Sequence, residues 1–384
     1  MLSSQSVLGT QFCLDLPAFS QLIPALQQRG YQVVGPCVRG NAIVYDTLDS
    51  ADSLPAGWTA EQEAGSYRLK RRADGALFGY TVSPQGWKRF LHPPESLLFE
   101  ARRKETAFEI LPPPPRPLKQ AFLGVRSCDL AAIAIQDRVL LGEAHCDSRY
   151  QGRRSGVFIA AVNCTVSDPT CFCASMHAAP PLEAGFDLAL TELVSDERHI
   201  FVVEAGSRIG AELLAELDPP EADAAVRREA AESVRAAADN LKRRLDCAGL
   251  REKLNDRFDS PYWDDIAARC LSCGNCTMVC PTCFCTTVED TSDVGGSRAE
   301  RWRRWDSCFS QNFSYIHGGS VLLSTKSRYR QRLMHKLAAW IDQFGSSGCV
   351  GCGRCITWCP AGIDLTREAA ALTGEAARET RGSL

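Results

Sequence analysis

The sequence predicts an α+β chain with an N-terminal α/β region, a helical linker and a mostly helical, cysteine-rich C-terminal domain. Three observations carry this. Strand-length apolar runs alternate with stretches of helical spacing before residue 220. Residues 221–245 are rich in Ala, Glu and Arg and contain neither Gly nor Pro. Eleven of the 19 cysteines then fall within residues 260–366. A chain of 384 residues fits two or three domains. The expected divisions are 1–110, 119–220, the linker 221–258, the cysteine-rich domain 260–366 and a tail 367–384.

The elements follow in order. Residues 16–29 place Phe19, Leu22, Ile23 and Leu26 on one helical face, and Gly30 is a stop. Residues 31–34 and 42–45 are short β-branched runs that read as strands. Residues 111–117, Leu-Pro-Pro-Pro-Pro-Arg-Pro, suit neither helix nor central strand and form an extended connector. Runs 121–125 and 157–162 have strand length. Residues 129–141 between them have helical spacing, with Asp129 near the start, where an acid suits the helix dipole. Residues 199–203 read as another strand and 209–217 as a short helix. Strand–helix–strand order favours a mostly parallel sheet. The 221–245 helix links the two halves, and its charges read as a solvated face.

Composition excludes several classes. The net charge of −3 supplies no bulk basic field for nucleic acid or anionic lipid. The opening residues MLSSQSVLGTQFCLDLP lack the basic and apolar regions of a signal peptide. No run approaches 18 apolar residues, so no membrane span is expected. A cytoplasmic chain with reduced thiols follows, and an odd cysteine count argues against a purely intramolecular disulfide framework. Cysteine in that setting means metal, catalysis or burial. There is no Walker loop, G-x-G-x-x-G, G-x-S-x-G or H-E-x-x-H string, and no catalytic residue is assigned.

Residues 270–281 read C-L-S-C-G-N-C-T-M-V-C-P, and residues 349–360 read C-V-G-C-G-R-C-I-T-W-C-P. Both are C-x2-C-x2-C-x3-C-P, the bacterial ferredoxin run for [4Fe–4S] ligation. Three thiolates on one tight loop must reach three irons of one cube. Gly274 and Gly353 let the loop curl and free amide N–H groups to face sulfur. In two-cluster ferredoxins the fourth cysteine ligates the other cluster. The expected sets are Cys270, Cys273 and Cys276 with Cys359, and Cys349, Cys352 and Cys355 with Cys280. Zinc sites use spaced pairs rather than two triplets each trailed by Cys-Pro. The C-terminal domain is therefore expected to be ferredoxin-like.

A second pattern is a repeat. Pro169-Thr-Cys-Phe-Cys173 recurs as Pro281-Thr-Cys-Phe-Cys285. Cys128 and Cys164 follow expected strand ends, where open sheets gather ligands. Cys128, Cys164, Cys171 and Cys173 thus form a candidate set for a third cluster, against the alternative of buried thiols acting as small hydrophobes. Cys283, Cys285 and Cys308, with His317 as a candidate fourth ligand, form a weaker set whose bland competitor is packing. Cys13, Cys37, Cys146 and Cys247 lack spacing partners and read as buried free thiols.

Residues 297–336 carry nine Lys/Arg against Glu300 and Asp306. These could offset anionic clusters and raise their potential, dock a partner, or be solvated. Nucleic-acid binding fits poorly with the overall acidity. The run Tyr67-Arg-Leu-Lys-Arg-Arg72 has the same ambiguity.

Several strings together resemble a known family. They are Glu63-Ala-Gly-Ser-Tyr-Arg-Leu-Lys-Arg-Arg72, Trp87-Lys-Arg-Phe-Leu-His-Pro93, Gly124-Val-Arg-Ser-Cys-Asp-Leu130, residues 163–173, Cys280-Pro-Thr-Cys-Phe-Cys285, Trp305-Asp-Ser-Cys308, Arg328-Tyr-Arg-Gln-Arg332 with His335-Lys336, and the last cysteine run. The chain resembles the iron–sulfur beta subunit of cytosolic sulfhydrogenases, the NADP-linked nickel–iron hydrogenases. It is also similar to the iron–sulfur subunit of anaerobic sulfite reductase. Residues 317–320, His-Gly-Gly-Ser, depart from the family's Gly-Gly-His-Asn string. The resemblance implies an electron-transfer subunit with two to four [4Fe–4S] clusters. One implied partner is a diaphorase-type subunit that binds FAD and NAD(P)H. The others are either hydrogenase small and large subunits or a sirohaem sulfite reductase subunit. The alternative reading is a reductase with a substrate-accessible cluster at Cys128, Cys164, Cys171 and Cys173.

Overall fold

The computed structural model describes residues 7–112, 119–142 and 145–374. The connector expected at 111–117 lies outside them from residue 113 onward. Strands β1 (Gln11–Asp15), β2 (Gln32–Arg39) and β3 (Ala42–Thr47) come first. Two hairpins follow, β4 (Trp58–Glu63) with β5 (Ser66–Arg71), and β6 (Glu95–Lys104) with β7 (Ala107–Leu111). Then come β8 (Gln120–Val125), β9 (Phe158–Val162), β10 (Leu188–Val194) and β11 (His199–Ala205). The second half holds β12 (Thr286–Ser292), β13 (Arg298–Trp305) and the short pair β14 (Tyr315–Ile316) and β15 (Gly319–Ser320).

Among the described residues, seven strands form one sheet in the order β1-β11-β10-β9-β8-β2-β3. Strands from residues 1–110 and 119–220 therefore share one sheet. Its centre is parallel, β2 to β8 to β9 to β10, but β1, β11 and β3 pair antiparallel. The expected mostly parallel sheet is thus a mixed one. The cause at one edge is local: Gly40 and Asn41 both take positive φ, the two-residue turn that matches strand twist. Side chains alternate across the sheet. Ala121 and Leu123 enter one core with Phe19, Leu22, Ile23 and Leu26, and Phe122 enters the other with Tyr45 and Trp87; an irregularity at Gly124, φ 95°, shifts the register and brings Val125 to that second core. Phe19 stacks on Phe201 of β11 at 4.1 Å.

The helix expected at 16–29 is two, Leu16–Ser20 and Leu22–Gln28. Pro24 has no N–H to give the Ser20 carbonyl, so the ladder breaks between them. The expected helices at 129–141 and 209–217 are Ser127–Leu140 and Arg208–Leu217. The linker helix is shorter than expected, Ala224–Asp239. Beyond Asn240 the chain runs without regular structure to the helix Leu250–Asp256, because Leu241 and Leu245 are drawn into two separate cores. The tail expected from residue 367 begins later, since the helix Leu365–Thr373 buries Leu365, Ala369 and Leu372.

The cysteine-rich region is not folded apart from the rest. Its strands β12 and β13 extend the hairpin β6–β7 into a four-stranded antiparallel sheet, order β12-β13-β6-β7. A buried ion pair makes a second tie. Arg354, on the helix Arg354–Thr357, meets Asp129, on the helix Ser127–Leu140, at 2.9 Å, and each side chain is 1% exposed. Arg354 Nε also donates to the Ser83 carbonyl at 2.7 Å. Removing one partner strands a buried charge. Asp129→Ala should destabilise the chain by about 3–5 kcal/mol, and the double change Asp129→Leu with Arg354→Met should recover much of that. Urea midpoints of the three proteins check this; equal midpoints for the single and double changes would refute it.

His92 supplies a pH dependence. Its ring is 2% exposed and lies alongside Trp305 of β13. Burial first, then Arg303 and Lys88, push its pKa down to about 4. The folded state therefore binds fewer protons than the unfolded state, and stability is lost as pH falls from about 6.5 to about 4. His92→Phe should flatten this segment of the stability–pH curve, measured as its difference from the parent at pH 7 and pH 5.

Candidate metal centres

Among the described residues, thiols line three cavities. The first, about 420 Å³, has Cys270, Cys273, Cys276 and Cys359 on its wall, with Cys355, Arg332 and the apolar Phe309, Tyr329, Ile363 and Leu365. The helix Tyr262–Arg269 ends at Cys270, and Gly274 turns the chain through a left-handed φ of 73° into the helix Asn275–Met278. Thr277 and Ser307 share a hydroxyl hydrogen bond at 2.7 Å that braces this turn. The Ile363 N–H donates to Cys359 Sγ at 3.3 Å.

The second cavity, about 340 Å³, is lined by Cys280, Cys349, Cys352 and Cys355 with Arg332 and Lys336. Cys355 thus faces both cavities. The Gly351 N–H points at Cys349 Sγ at 3.5 Å. Gly351 and Gly353 have φ of 66° and 76°, and the space beside them is occupied. A Cβ on Gly351 would lie 2.5 Å from the Phe172 carbonyl oxygen, and one on Gly353 2.5 Å from that of Thr170. Only glycine meets both demands.

The third cavity, about 370 Å³, brings together Cys128, Cys164, Cys171 and Cys173. Cys128 follows β8 and Cys164 follows β9, at the carboxyl ends of parallel strands. Thr81, Val82, Ala237 and Leu241 close the cavity. Cys128, Cys171 and Cys173 are buried. Arg126, fully buried, donates to the carbonyls of Phe78, Tyr80 and Asn163 at 2.6–3.0 Å and faces Cys164.

The cavities adjoin. Cys171 Sγ lies 3.9 Å from the Cys352 carbonyl, and the Phe172 N–H donates to the Gly351 carbonyl at 2.8 Å. Both copies of the five-residue repeat seat the same loop. Thr170 packs against Gly353, and Thr282 Oγ1 donates to the Gly348 carbonyl at 2.7 Å. The β4–β5 hairpin covers the loop from the other side. The Gly65 N–H donates to the Ile356 carbonyl at 3.1 Å, Tyr67 stacks on Trp358 at 5.2 Å, and Gln62 reaches Thr357.

Burial pushes most of these thiols up: Cys276 and Cys173 to about 12, Cys352 to about 11, and Cys128 and Cys171 well above the usual range. Cys280 is the exception. A hydrogen bond from Cys283 holds it well below that range, with Lys336 adding to the effect. Thiols in such surroundings become thiolates only against compensating positive charge, which iron supplies together with the buried cations. Among the described residues no three His, Cys, Asp or Glu side chains converge on a single metal ion. A four-iron cube has other needs: four thiols spread around a body, apolar walls and amide N–H groups on sulfur. The three donor sets fit those needs.

The remaining cysteines divide. Cys285 and Cys308 face each other, while Cys283 lies against Cys280, and none of the three is on the wall of a thiol-lined cavity described above. His317 sits at the exposed turn between β14 and β15. Cys37 is buried and Cys13 half-buried, but Cys146 and Cys247 are exposed, contrary to the expectation of four buried thiols. Each lies in an irregular segment at the surface.

The basic stripe splits by position. On β13, Arg298 pairs with Glu100 at 2.9 Å, Arg301 with Asp290 at 2.7 Å, Arg304 with Glu289 at 3.0 Å, and Arg303 with Asp147. Lys326 and Arg330 pair with Asp264 and Asp259. Arg332 and Lys336 instead turn inward onto the cavities. Lys88, another buried cation, donates to the Cys283 carbonyl at 3.0 Å and lies 3.8 Å over the Trp305 ring. The motif spacing gave no sign that Lys88, Arg126 and Asp129 would serve these sites. Their only signal was membership of the strings that carry the resemblance.

Gly351→Ala tests the central seat. It should destabilise the chain by at least about 1–3 kcal/mol from the left-handed backbone alone, with the collision added. Thermal unfolding under anaerobic conditions measures it, and a parent-like midpoint would show that the loop can shift.

Comparison with known proteins places these features. Residues 269–363 match the 4Fe-4S dicluster domain family. Over 352 residues the chain is 32% identical to sulfhydrogenase 2 subunit beta of Pyrococcus furiosus, spanning 90% of this chain and 93% of that protein. No solved structure matches the chain. Among the described residues no helix is long and apolar enough to cross a membrane. With a dicluster domain matched and likeness to that relative along nearly its whole length, the chain belongs to the sulfhydrogenase beta-subunit family of iron–sulfur proteins.

Proposed function

We propose that this chain relays electrons between a flavin subunit that exchanges them with NAD(P)H and the catalytic subunits of a cytoplasmic nickel–iron hydrogenase. The single observation that carries this is the contiguity of the three thiol-lined cavities, joined through the 349–355 loop. In this reading Cys270, Cys273, Cys276 and Cys359 hold one [4Fe–4S] cluster. Cys349, Cys352, Cys355 and Cys280 hold a second, and Cys128, Cys164, Cys171 and Cys173 a third. Bound there, such clusters supply one-electron carriers whose potentials hydrogen bonds and burial tune over a wide range. The chain's own residues do the rest: thiols anchor, amide N–H groups bond sulfur, and apolar walls exclude water.

The burial of Cys128, Cys171 and Cys173 favours electron passage at the third site over entry of a substrate. The iron–sulfur subunit of an anaerobic sulfite reductase would use the same relay with a sirohaem partner. The nature of the catalytic chains that co-purify with the intact complex separates the two, nickel or sirohaem.

Anaerobically purified chain should hold about twelve irons and as many sulfides, the content of three four-iron clusters. Cys171→Ala should lower this by about four and leave the dicluster signals in the electron paramagnetic resonance spectrum. A parent content of about eight with no effect of Cys171→Ala would remove the third cluster. Fewer than about eight would remove the relay.

A further inference from the structure

Arg332 and Lys336 stand four residues apart on one continuous helical stretch, and both are buried, at 4% and 3% exposure. Among the described residues neither pairs with a carboxylate. Arg332 lines both the first and the second cavity, and its Nε finds no acceptor. Lys336 lines the second alone, where Nζ donates to Thr282 Oγ1 at 2.7 Å and the Gly348 carbonyl at 3.1 Å. Like charges at this spacing repel, and burying them without a counter-ion is strongly unfavourable. The other cations of the same helix behave differently: Lys326 and Arg330 have their acids at the surface, and Arg328, also buried, is taken up by the carbonyls of Phe309, Leu322 and Leu323 and lines none of the three cavities. Arg354, equally buried, has Asp129 and so brings no net charge to the gap between the second and third cavities.

We infer that Arg332 is a counter-charge shared by the two dicluster centres, and that Lys336 serves the second centre alone, so that the pair raises the reduction potential of the dicluster. The inference rests on the ligand sets proposed above. Each reduction adds a negative charge to a cluster already surrounded by four thiolates. A fixed cation against any of those thiolates stabilises the reduced form more than the oxidised one. Cys276 and Cys355 are the thiols that Arg332 faces, one from each motif, and a single side chain therefore acts on both centres. Lys336 faces Cys280, Cys283 and Cys349, and the two of these that line a cavity, Cys280 and Cys349, are both of the second set. Both residues are positioning residues that act on the ligand field from outside it.

Redox titration of the intact, cluster-loaded chain, followed by electron paramagnetic resonance, tests this. Arg332→Gln should make two signals harder to reduce, each by at least tenfold in the reduction equilibrium constant, or 59 mV for one electron. Lys336→Met should move only one of those two. Arg330→Gln, on the same helix but paired at the surface, should move neither, and Arg332→Lys should restore most of the shift. Full iron content with unmoved potentials in Arg332→Gln overturns the inference, as does a shift confined to one signal. Should Arg332→Gln fail to load, Arg332→Lys decides: parent-like loading and potentials uphold a role for the charge, and failure to load overturns it. A parent chain holding fewer than about eight irons would instead overturn the ligand sets themselves.

Discussion

The contact on which the structure turns is between two stretches of backbone. Gly351 and Gly353 lie so close to Phe172 and Thr170 that no side chain fits between them. This brings the loop carrying Cys349, Cys352 and Cys355 against the loop carrying Cys171 and Cys173. Much of the remaining architecture serves that meeting. The β4–β5 hairpin covers the outer side of the loop, and Arg354 fixes its following helix to Asp129 beside Cys128. The strands β12 and β13 join the N-terminal hairpin β6–β7, so the cysteine-rich part is also tied to the first half of the chain through backbone pairing.

Electrostatics then follows from burial. Thiols held this deep resist ionising, and a set of them is stable as thiolates only where positive charge is near. The chain answers in two ways. At the gap between the second and third cavities, Arg354 is matched by Asp129 and the pair is neutral. At the other gap Arg332 is unmatched, and Lys336 is unmatched beside the second cavity, so the interior carries net positive charge where the two sequence motifs meet. Arg126 at the third cavity is held by backbone carbonyls rather than by an acid. Burying Arg332 and Lys336 without an acid is costly unless an anionic group lies beside them.

What could be read from the sequence was local. The two C-x2-C-x2-C-x3-C-P runs specify their turns through glycine and spacing, so their eight cysteines were visible at once. The thiols at 128, 164, 171 and 173 could be grouped because two follow strand ends and two sit in a repeat. The strands β4–β7 and β12–β13 were not visible, because their faces mix charged and apolar residues. Arg298 and Arg301 are held by pairing across strands, which no single run reveals. The split of the basic stripe was likewise hidden. Arg330 and Arg332 are two residues apart, so helical geometry sends one to the surface and the other inward, and only the tertiary neighbours say which.

The repeated Pro-Thr-Cys-Phe-Cys segment shows one sequence used for two kinds of bond. Thr170 and Thr282 are both fully buried and both brace the same loop, from opposite ends. Thr170 Oγ1 engages Asp168 at 3.1 Å and Thr357 at 3.0 Å. Thr282 Oγ1 receives Lys336 and donates to Gly348. A valine of equal shape would fill either place but would cost Asp168 or Lys336 one of its hydrogen bonds. The hydroxyl therefore links loop position to a buried charge in both copies. The middle cavity is held from two sides by the same device, whereas the outer two each have one copy or none. The centre of the line of cavities is thus held by backbone contact and paired threonines. The first cavity opens toward solvent at Cys273, the one exposed thiol of the twelve that line the three cavities.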